Sequence, residues 1–497
     1  MEPQVQKTSK NAKTPLIASS VIVAFSLTLA LGWKLGQQSA TQTPANPTLP
    51  VAGKVEGAAG VNPIGTPNSS VAGESLTAEA ILDGIPEAKK ESSANKEVQR
   101  FREAARKNEN SAKNWINLGD ALMQRSREQL DPHDYDWAKL AYQQALKIDP
   151  QKPDAMTGMA WVTGALHQFD DSIAWAKQAI AVTPNDAAPY GLLGDAQLEL
   201  GDYETAFESY QKMLDIRPDL SSYSRGAHLL YVTGDTRKAL WLMQKAIEAG
   251  SPFAENTAWC KAQLAEMLWN MGAVLPAKNV VDKALKVSPE NYHLLLIQGR
   301  VCEANHDTKG AIAAYQKAIA ISPQHHALVA LGDLYLSLGK KEEAEKLFTQ
   351  VETTHQHHQT HGNHDELYMA RFWVDHDRNL ERAKEVVAKR LAQGEPKSLS
   401  DLDIVAWVLY KTGDIPNAVK YAKKAIAKGS QDSSRLFHAG MILTKAGELR
   451  EGQKLLSKAL TLNPAFNPVD AKTASETLKT IAPKLRVSEQ NLNKGKG

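Results

Sequence analysis

The chain of 497 residues contains only two cysteines, Cys260 and Cys302, and no Cys-x-x-Cys pair. Thiol zinc sites and thioredoxin-like redox motifs are therefore excluded. Both cysteines fall on apolar helical faces in different segments and read as packing residues. Neither sign of charge is in excess: 58 Lys+Arg against 56 Asp+Glu give a formal net charge of +2. That balance argues against nucleic-acid binding through bulk electrostatics. No Gly-x-Ser-x-Gly, His-Glu-x-x-His or Gly-x-Gly-x-x-Gly occurs. The Gly-Lys pair in LSLGKKEEA lacks the upstream glycine and the Ser/Thr of a phosphate-binding loop. No enzyme is expected from these residues, and no cofactor is implied.

Long apolar runs are also scarce, with one exception. Between Lys13 and Lys34 runs TPLIASSVIVAFSLTLALGW, without a charge. Twenty helical residues rise about 30 Å, the thickness of a bilayer core. Lys7, Lys10 and Lys13 precede the run and Trp33 ends it, where an indole suits the headgroup region. The expectation is a transmembrane anchor at residues 14–33, a cytoplasmic tail at 1–13 and everything later outside the cytoplasmic membrane. Ala30-Leu31-Gly32 would also pass as a signal cleavage site, but signal cores are usually shorter, about 7–15 residues. Residues 37–75 are rich in Pro, Gly, Thr, Ser and Ala and carry no apolar periodicity, which is the composition of a disordered linker. A flexible chain of that length spans about 35 Å.

From about Ser93 the pattern becomes helical and recurs. WINLGDALM begins at Trp115, YGLLGDAQL at Tyr190 and LVALGDLYL at Leu328. The period is about 34 residues, each unit a helix, a tight turn and a second helix. A small residue recurs at the eighth place of the first helix: Gly119, Ala160, Gly194, Ala227, Ala265, Gly299, Gly332, Ala406 and Gly440. Alanine recurs early in the second helix, as at Ala138, Ala206, Ala239, Ala311 and Ala344, and is expected to face that small residue. Glycine marks the turn at Gly201, Gly234, Gly272, Gly339, Gly413 and Gly447. Proline closes units at Pro150, Pro184, Pro218, Pro289, Pro323 and Pro464, where it stops one helix and restarts the next. The first unit carries an insertion around RSREQLDPHDY, and the eighth lacks the turn glycine. Capping helices are expected at 93–110 and within 466–497, about Ala471 to Ile481, flanking about ten units at 111–465.

On these residues, and on PDLSSYSRGAHLLYVTGDTRKAL, DLDIVAWVLYKTGDIPNAVKYAKKAI and LFHAGMILTKAGELREGQKLLSKALTLNP, the array resembles bacterial tetratricopeptide repeat proteins. The resemblance implies an all-α right-handed superhelix whose first helices line a concave groove that docks a peptide or protein. It extends to the repeat arm of O-linked sugar transferases; with 33 residues after Pro464, no catalytic domain is expected beside the arm. In this family's architecture, counting from the small residue places Trp161, His228, Tyr231, Trp269, Arg300, Trp407 and Tyr410 on the concave face. Asp120, Asp195, Glu266, Glu303 and Asp333 share that surface. Large aromatics of this kind also pack between repeats. The lysine-and-asparagine set that clamps a C-terminal carboxylate in chaperone-binding relatives is missing, so aromatic contacts with acidic neighbours are expected instead.

One tract stands apart. THQHHQTHGNHDE holds His355, His357, His358, His361 and His364. On a helix His357 and His361 lie one turn apart, and His364 or Asp365 could complete a set for zinc, nickel or copper. The preferred reading is a variable polar junction between the seventh and eighth repeats that happens to be rich in histidine. The favoured function is a membrane-tethered scaffold for envelope assembly or secretion, and the alternative is a metal-binding or metal-responsive envelope protein.

Overall fold

The computed structural model describes residues 76–87, 92–130, 132–359 and 366–494. The expected tail, membrane segment 14–33 and linker 37–75 lie outside the described residues. Among the described residues no helix is long and apolar enough to cross a membrane.

The described residues form 23 helices and no strand. Two lead in, α1 (Ala78–Gly84) and α2 (Ser93–Lys107). Five helix pairs follow. They are α3 and α4 (Ala112–Gln129, His133–Ile148), α5 and α6 (Pro153–Ala165, Phe169–Val182), α7 and α8 (Ala187–Glu199, Tyr203–Ile216), α9 and α10 (Leu220–Val232, Thr236–Ala249), and α11 and α12 (Glu255–Asn270, Val274–Leu285). Five more complete the array. They are α13 and α14 (Tyr292–Ala304, Thr308–Ile321), α15 and α16 (His325–Ser337, Lys341–Gln359), α17 and α18 (Glu366–Asp375, Leu380–Ala392), α19 and α20 (Leu399–Lys411, Ile415–Ile426), and α21 and α22 (Ser433–Lys445, Leu449–Leu462). The last helix is α23 (Pro468–Lys494). It runs through Pro483, beyond the stop at Ile481 that the sequence suggests. The short α1 had no periodic signal; it is held by Thr77, whose Oγ accepts from the Ala80 N–H, and by burial of Ile81 and Leu82.

In four first helices the small residue is a glycine that faces a ring of the second helix rather than the early alanine. A Cβ on Gly194 would stand 2.5 Å from the Tyr210 ring, and one on Gly299 2.2 Å from Tyr315. Gly119 meets Tyr142 at 2.6 Å, and Gly332 meets Phe348 at 2.3 Å. In each case the ring lies four residues after the alanine, one helical turn along the same face. Each fully buried ring contributes about 2–3 kcal/mol. After Gly119 and Gly194 the next residue, an aspartate, uses the ring's hydroxyl. Tyr142 donates to Asp120 at 2.7 Å and Tyr210 to Asp195 at 2.8 Å. Where the ring is Phe348, Asp333 has no hydroxyl to accept and bonds elsewhere.

The insertion in the first unit lengthens α3 and is stitched by a buried pair. Arg125 Nε donates to Asp134 Oδ2 at 2.7 Å and Nη2 to Oδ1 at 2.5 Å, with both side chains almost fully buried. The two matched hydrogen bonds compensate the desolvation of both charges.

The array winds back onto itself. Tyr203 Oη accepts from the Leu399 N–H at 2.8 Å across a separation of 196 residues. Asn463 Nδ2 donates to the Trp269 carbonyl at 2.9 Å, and Gln324 Nε2 to the Leu130 carbonyl at 2.7 Å, each across 194 residues. One superhelical turn therefore closes after five to six repeats of about 34 residues, and the next turn rests on it. Two of the turn glycines, Gly201 and Gly272, sit in this seam. A Cβ on Gly201 (φ 79°) would stand 2.3 Å from the Lys397 carbonyl carbon, and one on Gly272 (φ 72°) 2.3 Å from the Leu462 carbonyl oxygen.

Candidate functional site

Closure of the winding makes the concave face an interior, and two cavities remain in it. The larger, about 540 Å³, is lined by first helices α3, α7, α9, α11 and α13. Its charges match one for one. Arg127 pairs with Glu255 at 2.7 Å, and Arg225 pairs with Asp195 at 2.9 Å. Burial works against the Arg225 charge, but Asp195 outweighs it and raises the guanidinium pKa. His228 and His293 complete the wall; burial lowers both, so each is neutral at pH 7.

The second cavity, about 360 Å³, lies between first helices α11, α13, α15, α17 and α21 and is closed by Ala465–Asp470. Glu266 accepts from Arg300 Nη1 at 2.5 Å. The Arg300 guanidinium lies 5.1 Å over the Trp269 ring. Asp333 accepts from Asn467 Nδ2 at 2.8 Å and is bonded to His376 Nε2 at 2.9 Å. Burial works against the charged His376, but Asp333 outweighs it and raises its pKa. Tyr315 donates to Glu303, yet burial pushes that carboxyl up to about 7. Asp470 is also pushed up to about 7, by burial first and then by Asp375.

Of the residues expected on the concave face, His228 lines the larger cavity, and Trp269 and Arg300 line the smaller. Trp161, Tyr231, Trp407 and Tyr410 line neither. Trp161 is half-buried against the N-terminal core, and Tyr231 packs on the core of α9 to α11. Trp407 is 4% exposed, donates to Asp375 at 2.6 Å and stacks on His438 and Tyr410. Asp195 lies in the larger cavity and Glu266, Glu303 and Asp333 in the smaller. Asp120 is engaged by Tyr142 instead. The sequence reading missed Arg225 and Arg371, each the single arginine or lysine of its first helix, a signal that was available. It also missed Asp470, which follows the last repeat and so has no periodic position to mark it.

In the histidine tract, His355 is buried, its ring 5.8 Å from His325 and 6.5 Å from Trp373. The side chain of His357, and residues His361 and His364, lie outside the described residues. Among the described residues no group of His, Cys, Asp or Glu is arranged to hold a metal ion.

Paired helices, glycine-ring contacts and a polar interior define an all-α solenoid of tetratricopeptide repeats. Tetratricopeptide repeat families match residues 157–221 and 263–326, and residues 303–360. The small glutamine-rich tetratricopeptide repeat-containing protein 2 of Mycosarcoma maydis is 29% identical over 107 residues, 22% of this chain and 30% of that protein. This chain thus spans under a third of the length of that relative. A TPR repeat-containing protein of Methanocaldococcus jannaschii is 21% identical over 395 residues, 74% of this chain and 67% of that protein. Among solved structures, a tetratricopeptide repeat protein from Parabacteroides merdae aligns with a TM-score of 0.36 at 17% identity, covering 47% of this chain and 92% of that one.

Proposed function

We propose that this chain is an interaction scaffold that docks an extended polypeptide segment in its interior. Tetratricopeptide repeat proteins generally mediate protein–protein interactions. The observation that carries the reading here is the lining of the two cavities. First helices place charged and aromatic side chains inward at positions where a merely structural solenoid would close on apolar ones. Cavities of about 360 and 540 Å³ suit a few side chains of an extended segment, not a folded domain. In this reading residues 14–33 hold the scaffold at a membrane, with the N-terminus cytoplasmic and the repeats outside, in envelope assembly or secretion.

A photo-crosslinking residue in place of Ala330 or Gln263, which line the cavities, should capture a polypeptide in cells, and one in place of the exposed Gln316 should not. Capture from Gln316 alone would move the docking surface off the interior. Deleting 14–33 should release the protein from the membrane fraction; retention without that segment would overturn the anchor.

A further inference from the structure

We infer that the smaller cavity takes the guanidinium or ammonium group of an arginine or lysine side chain from the docked polypeptide. The inference rests on the docking reading and gives it a chemistry.

The argument starts from charge. Six carboxyl side chains line the cavity against two guanidiniums and the imidazole of His376, whereas the larger cavity balances two against two. The local partners do not absorb the excess. Glu266 uses Arg300, and Asp375 takes Arg371 Nε at 3.4 Å together with the Trp407 N–H. Glu303 accepts only from the Tyr315 hydroxyl, a neutral donor. The Asp470 carboxylate accepts no hydrogen bond, although it stands close to Asp375 and Asp333. Asp333 is bonded to His376 and Asp432 lies 4.0 Å from Arg435, so the unmatched pair is Glu303 and Asp470, brought to one cavity across almost 170 residues of sequence with no guanidinium or imidazole among the described residues bonded to either.

A second observation is independent of the acids. Trp269 is 5% exposed and lines the cavity, and its indole N–H meets no acceptor. A buried donor left unpaired is costly, by an amount that one incoming acceptor removes. The cavity therefore offers sites for a cation and, beside it, one donor for a neutral or negative oxygen. A basic residue in a peptide carries both: the side-chain cation and the carbonyl of its own backbone. A free polyamine carries the first and lacks the second.

The test uses the full chain in a mild detergent and four short capped peptides that differ in one central residue: arginine, lysine, glutamine or glutamate. The arginine and lysine peptides should bind at least about tenfold more tightly than the glutamine peptide, the scale of one charge-assisted hydrogen bond. Asp470→Asn should remove most of that preference while circular dichroism stays native-like and the melting temperature does not fall. Binding of the arginine peptide should also weaken as the pH falls through 7. The groups that set this titration are Asp470 and Glu303, facing Asp333, Asp375, Arg300, Arg371 and His438.

Equal binding of the glutamine peptide, or an unchanged preference in Asp470→Asn, would overturn the inference while leaving polypeptide docking in place. Binding of spermidine as tight as that of the arginine peptide would overturn the peptide source. Capture in the crosslinking experiment of a partner segment without basic residues would do the same for the charge argument.

Discussion

Two turn glycines provide a controlled test of the closed winding. Gly201 and Gly413 both hold left-handed conformations, φ 79° and 96°. An alanine at either position is strained by about 1–2 kcal/mol. Their surroundings differ. A Cβ on Gly413 meets nothing within 4 Å, whereas one on Gly201 falls 2.3 Å from the Lys397 carbonyl carbon and from the Ser398 nitrogen. Both of those are backbone atoms and cannot swing aside. Gly201→Ala must therefore part the seam. Doing so loses the Leu399 to Tyr203 hydrogen bond, about 1 kcal/mol, and exposes part of the Tyr203 ring, which is 8% exposed in the native seam, for about 1–2 kcal/mol more. The expected loss is about 3–5 kcal/mol for Gly201→Ala and about 1–2 kcal/mol for Gly413→Ala. Hydrogen exchange is the suitable assay, because a repeat array loses stability locally before it unfolds as a whole. The Leu399 amide, whose partner Tyr203 is 196 residues away in sequence, should lose protection in Gly201→Ala and keep it in Gly413→Ala. Equal losses in the two variants, with Leu399 still protected, would refute the stacked turns.

Other outcomes follow from the same geometry. Gly194→Leu should overpack against Tyr210 by about 1–3 kcal/mol or more, raising exchange in α7 and α8 and leaving distant repeats protected. Asp470 has a folded pKa of about 7, above its ordinary 3.8, so its native state is penalised as pH rises through that value and not below the ordinary carboxylate range. Asp470→Asn should accordingly melt like the parent near pH 4 and at a higher temperature at pH 8; a lower melting temperature at pH 8 would contradict the sign. Asp134→Asn should lose about 3–5 kcal/mol by stranding the Arg125 charge, visible as a lowered denaturation midpoint. Trp407→Phe keeps the ring but removes the donation to Asp375, for a loss of about 1–2 kcal/mol; Trp407→Ala would cost about 3–5 kcal/mol, so it is unsuited to testing partner binding.

Much of the local structure was legible because each unit states it in neighbouring residues. Gly194, Asp195, Ala206 and Tyr210 lie within seventeen positions and specify a helix pair, its closest approach and the partner of the tyrosine hydroxyl. Turn glycine and closing proline act on the backbone that carries them, so their effect is readable without a fold. The two left-handed histidines, His167 and His306, show the limit of that code, since they take the glycine's place at φ 58° and 60°.

The sequence by itself determined the repeat, its helix pairs and the inward face of each first helix, because those follow from periodicities of a few residues. Only the tertiary structure decided what that face became. Small rotations between successive units add until the chain meets itself after 194 to 196 residues, a sum that no single repeat reveals. That closure, with the buried partners it supplies, turned Trp407 into a packed core residue. It also brought Asp470, Asp333 and Glu303 to one cavity, since their proximity depends on the winding of the whole array and not on their spacing along it.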